Sequence, residues 1–68
     1  MKNRFDIKFT HPLTSHFLKI GFNRTFVDCL KYINHFKGTS EINFIDFRNG
    51  IVSILDNNTG KSVYSENI

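Results

Sequence analysis

Hydrophobic and polar positions alternate strictly over residues 4 to 10, "RFDIKFT", with Phe5, Ile7 and Phe9 on one side and Arg4, Asp6, Lys8 and Thr10 on the other. A period of two over this length predicts a strand with one buried face. His11-Pro12 ends it, because the residue before a proline is pushed away from helical geometry and proline donates nothing to a ladder. Alternation resumes from His16 to Phe22, with Leu18, Ile20 and Phe22 on the apolar side and Phe17, Lys19 and Gly21 on the other. The connection is too short for a parallel crossover, so the two segments are expected to pair as an antiparallel hairpin.

The period then changes. In "TFVDCLKYINHFKG", Phe26, Cys29, Leu30, Ile33 and Phe36 recur at spacings of three and four, flanked by Tyr32, and form one stripe of an amphipathic helix. Thr25, three residues before Asp28, suits the N-cap, and Gly38 suits a left-handed stop. Val27, Asp28, Lys31, Asn34 and His35 occupy the opposite side.

Residues 41 to 48, "EINFIDFR", read as a third strand in which Phe44, Ile45 and Phe47 do not alternate cleanly, implying a bulge or burial on both faces. Asn49-Gly50 suits a type I′ hairpin turn into a fourth strand, "IVSILD". "NNTG", with Gly60 in the left-handed position, turns the chain into a short fifth strand, "KSVYS", and "SENI" is expected to fray. The prediction is one α+β domain over residues 1–68, with ββαβββ order and an antiparallel sheet whose one face carries the helix. The other face is left for solvent or a partner.

Length makes that core demanding. A single domain of 68 residues has a core worth only about 3–5 kcal/mol of net stability, so large side chains are needed. Eight Phe and two Tyr supply them. The lone cysteine excludes an internal disulfide and a C-x-x-C zinc site, which points to the reducing cytoplasm. Arg4, Asp6, Lys8 and Lys19 interrupt the first 20 residues and no long apolar run is present, which argues against a signal peptide or a membrane span, so no membrane partner is expected.

Charge adds an asymmetry. Residues 1 to 38 carry Lys2, Arg4, Lys8, Lys19, Arg24, Lys31 and Lys37 against Asp6 and Asp28, a balance of +5. Residues 39 to 68 carry Arg48 and Lys61 against Glu41, Asp46, Asp56 and Glu66, a balance of −2. A basic half directs attention to anionic partners, nucleic acid or an acidic protein surface, although surplus lysines also serve solubility.

Enzyme chemistry finds little support. Cys29 falls on the buried stripe, where a thiol acts as a small hydrophobe, and His11 and His16 lie in a loop without further ligands beside them. Phosphate loops, nucleophile elbows and His-Glu-x-x-His patterns are missing, so no catalytic residue, metal or cofactor is assigned. Binding fares better. The sheet face away from the helix would hold Arg4, Lys8, Phe17 and Lys19, joined by Ile45 or Phe47, an aromatic and basic surface suited to nucleic acid. Lys8, Lys19, Arg24, Lys31 and Lys37 are the candidate contacts to a protein or nucleoprotein partner. Homodimerisation through the open face or an edge strand is a third reading.

The Asn49-Gly50 turn, the Gly60-Lys61 turn, the strand between them and the helix after Thr25 together give an order that resembles the small phage-encoded anti-CRISPR proteins of the type I-F class. The Phe-rich strands and the His11-Pro12 loop depart from that group. The resemblance implies a cytoplasmic inhibitor that binds a host CRISPR surveillance complex and obstructs its target DNA. It carries over no individual binding residue.

Overall fold

The computed structural model describes residues 4–68, so Lys2, counted in the basic half, lies outside the described residues. Strand β1 (Phe5–Thr10) is the segment with the strictest alternation, and it pairs on both sides. On one side it meets β2 (Phe17–Arg24), with Ile7 opposite Ile20 and Phe9 opposite Leu18. On the other it meets β3 (Ile51–Asp56), with Ile7 opposite Ile54 and Phe9 opposite Val52. Strand β4 (Lys61–Asn67) pairs with β3, giving an antiparallel sheet in the order β2-β1-β3-β4. A period of two in the central strand thus sorts its neighbours, and Ile7, Phe9, Val52 and Ile54 form one fully buried layer.

Helix α1 (Phe26–Phe36) covers that layer. The Thr25 hydroxyl accepts from the Asp28 N–H at 3.1 Å, capping the first turn as the sequence predicts. Cys29 and Ile33 are completely buried against the sheet, and the helix closes with Gly38 at φ +82°. Burying a side chain such as Ile33 contributes roughly 1.5–3 kcal/mol.

The α+β class and the antiparallel sheet with its amphipathic helix are present, but the third of the five expected strands is a helix. Residues Ile42–Asp46 form α2, capped by the Glu41 carboxylate, which accepts from the N–H groups of Asn43 and Phe44 at 2.9 and 3.4 Å. The broken alternation has a simple cause. Phe44 and Phe47 are three apart, so a helical turn directs both rings to one side, and they are 3% and 5% exposed. Their centroids lie 5.1 and 5.6 Å from that of Phe9. Phe47, expected to extend the open sheet face, is therefore core, while Ile45 lines a cavity beside Phe44 and Arg48.

Asn49-Gly50 likewise joins α2 to β3 instead of making a hairpin; Asn49 takes φ +68°, and the Gly50 N–H donates to the Phe47 carbonyl at 2.9 Å. The element order is ββααββ. Asn57 to Gly60 do form the expected turn, with the Gly60 N–H on the Asp56 carbonyl at 2.7 Å. The tail does not fray: β4 runs to Asn67, and the Ile68 N–H donates to the Gly50 carbonyl at 3.0 Å.

Candidate binding surfaces

Register decides which side chains share the sheet face that lacks a helix. Lys8 stands directly opposite Lys19, and Thr10 opposite Phe17. Across β1 the same face continues with Ser53 opposite Lys8 and Ile51 opposite Thr10, then Ser65 opposite Ser53. The Lys8 Nζ sits 4.6 Å from the Phe17 ring centroid, a cation–π contact on a ring that is 55% exposed. Among the described residues, Phe17 is the one aromatic in the set of exposed large apolar side chains. Hydroxyls fill the far half, where Ser65 lies 3.0 Å from both Ser53 and Ser62.

Carboxylates are almost excluded from this face. Asp6 belongs to it by alternation but is 5% exposed, and its Oδ1 accepts from the Asn23 N–H at 2.8 Å. The register shift in β2 beside Asp6, with Asn23 at φ +52°, brings that N–H into place. Asp28 and Asp46 lie on the helices and Glu41 caps one, while Asp56 and Glu66 stand opposite Phe5 and Val52 on the helix side. Lys8 and Lys19 therefore share a face with no exposed side-chain carboxylate among the described residues.

Arg4 does not join them. Its Nε lies 3.3 Å from the Asp56 Oδ2, buried and without a well-aligned hydrogen bond, so the contact is ionic. Lys37 is also engaged: its Nζ meets the Glu66 Oε2 at 2.6 Å, and the Tyr64 hydroxyl donates to the other oxygen of that carboxylate. These two hydrogen bonds hold the Glu66 carboxyl below the usual range.

Arg24 and Lys31 meet elsewhere, in a groove of about 580 Å³ between β2 and α1. Helical spacing places Asp28, Lys31 and His35 along one edge of α1, while Phe22 and Arg24 come from the inward-facing positions of β2. Three half-buried rings make its floor: Phe22 and Tyr32 have centroids 5.3 Å apart, and Tyr32 and Phe36 4.9 Å. The Arg24 guanidinium stands 5.5 Å above the Phe22 ring. Burial pushes the Tyr32 phenol above its usual range, with the Glu41 charge adding to the effect.

The five cations expected to contact a partner thus divide into Lys8 with Lys19 on the open face, Arg24 with Lys31 in the groove, and Lys37 in an ion pair. The groove is the surface that the periodic pattern did not announce. Phe22 and Phe36 carry the apolar period of core residues, and only Tyr32, at the margin of the stripe, marks the edge of the covered area.

Cys29 is fully buried and donates its thiol to the Phe5 carbonyl at 3.7 Å; burial pushes its pKa up to about 11, and Asp6 and Asp28 reinforce the shift. The loop histidines pack on Phe47, with the His16 ring parallel to it at 6.1 Å, and the His11 Nδ1 accepts from the Leu13 N–H. Among the described residues no helix is long and apolar enough to cross a membrane. No family model, curated protein or solved structure matches the chain.

Proposed function

We propose that this chain is a non-enzymatic binding protein that lays a single strand of nucleic acid across its uncovered sheet face. The observation that carries the reading is the Lys8–Lys19 pair beside exposed Phe17, on a face without an exposed side-chain carboxylate among the described residues. Lysines neutralise phosphates and release their counterions, and an exposed ring stacks on any base, worth about 1–3 kcal/mol per base. The test is anisotropy of labelled single-stranded and duplex oligonucleotides over a salt series. Two phosphate contacts predict a log–log salt slope of about −1.4 for single strands. Lys8→Glu with Lys19→Glu is expected to weaken binding by ~10-fold or more. A chain that forms no complex at low salt removes the proposal.

A second reading is an inhibitor of a host nucleoprotein complex in the host cytoplasm, of the kind the anti-CRISPR resemblance implies. It is favoured by the division of the cations that have no ion-pair partner among the described residues between two opposite sides, which suits a molecule lodged between a nucleic acid and a protein component. A tagged chain should then retain a ribonucleoprotein from host lysate at moderate salt, and lose part of it after nuclease treatment. Retention of no host protein would sink this reading while leaving the first intact.

A further inference from the structure

We propose that the groove between α1 and β2 is a ligand site for a free nucleoside monophosphate. Its composition separates it from ordinary surface. Phe22, Tyr32 and Phe36 are all half-buried, so their rings are held by the core yet still present area to the groove. The rings are inclined to one another, by 73° between Phe22 and Tyr32 and by 53° between Tyr32 and Phe36, so a planar ligand stacks on a single ring, Tyr32, and meets the others at an angle. Neither Arg24 nor Lys31 is ion-paired among the described residues, although Asp28 lines the same groove.

Charge selects the ligand. Arg24 and Lys31 outnumber Asp28, the one carboxylate lining the groove, so the groove carries a surplus of one positive charge and favours an anion of low charge; guanidinium and ammonium both donate to a phosphate. Asp28 is then left to accept from a ribose hydroxyl, a role that an anion without hydroxyls would leave unfilled. A triphosphate brings more negative charge than two cations and one carboxylate can accommodate. The volume of about 580 Å³ falls within the range usual for small-ligand sites. The groove lies on the helix side of the sheet, opposite Lys8, Phe17 and Lys19, so a strand on the uncovered face does not fill it.

Titration of the isotopically labelled full chain with AMP, followed by NMR, tests the site. Saturable shifts are expected at the Tyr32 and Phe22 rings and at Arg24 and Lys31, with a Kd of order 0.1–1 mM for so open a groove. Adenosine and inorganic phosphate, each lacking half of the recognised chemistry, should bind at least ~10-fold more weakly. Arg24→Glu with Lys31→Glu should abolish saturation; both positions are exposed, so unchanged thermal unfolding will show that the fold survives. Tyr32→Leu offers a second test, keeping the cations while removing the stacking ring.

Four results would overturn the site. Shifts failing to saturate by ~10 mM AMP would leave no specific binding. Shifts centred on Lys8 and Lys19 would place the nucleotide on the other face. Tighter binding of a phosphotyrosine peptide than of AMP would assign the groove to a protein segment. Concentration-dependent shifts at Tyr32 without ligand would assign it to a second copy of the chain. Loss of oligonucleotide binding by the uncovered face leaves this site untouched, so the two proposals fail separately.

Discussion

Gly50 is buried where α2 gives way to β3, and a Cβ there would collide with the Thr10 carbonyl oxygen and lie 2.9 Å from that of Phe47. Backbone cannot move aside as a side chain can. Gly50→Ala is therefore expected to cost roughly 2–4 kcal/mol, read as a lower urea midpoint. Glu66 gives a gentler test. Its folded-state carboxyl is held below the ordinary 4.5 by hydrogen bonds from Lys37 and Tyr64. Its contribution is thus fully present above pH 4.5 and lost as pH falls through the lower folded value. The Lys37 side chain is 39% exposed, which screens the pair and limits the effect to about 1 kcal/mol or less. Glu66→Gln should lower the urea midpoint at neutral pH and flatten its decline in acid.

Among the elements, β1, β2 and α1 are legible because each carries one clear period, and the β3–β4 pair because the Asn57–Gly60 turn marks where the chain reverses. The α2 segment is not. Ile42, Phe44, Ile45 and Phe47 are residue types that favour strands, and five residues are too few for a helical period to declare itself. What settles the matter is distant in sequence: Phe9 packs against both Phe44 and Phe47, three residues apart, which a helical turn brings to one side. The same blindness concealed the groove, whose two walls come from separate elements and whose rings look like core in either one alone. Glu41 did leave a local trace, as a side chain that caps the turn it precedes. Glu41→Ala is expected to cost about 1 kcal/mol and to raise amide exchange at Asn43 and Phe44 before other sites.

At the scale of the whole molecule, the sheet separates two electrostatic environments. The helix side holds five of the six carboxylates, and the uncovered side holds Lys8 and Lys19 with only the enclosed Asp6. Arg24, Lys31 and Lys37 on the helix side stand among those carboxylates, whereas Lys8 and Lys19 face no exposed one, so a polyanion is favoured on the uncovered face at low salt. Both edges of the sheet, β2 and β4, are long enough to recruit another strand. Each carries a register shift, and Lys19 stands within β2, features that discourage edge-to-edge pairing. Light scattering should accordingly report a monomer over a wide concentration range. A dimer would reassign Phe17 to a subunit contact and leave the oligonucleotide assay to decide what remains of that face.

The ammonium resting over Phe17 has a consequence for how that surface recognises anything. An arriving base competes for the ring that Lys8 already covers, so cation and ring cannot be optimised independently. Removing either one reorganises the other. In a double-mutant cycle, Lys8→Ala and Phe17→Ala together should weaken binding by less than the product of their separate effects, the signature of a joint hotspot.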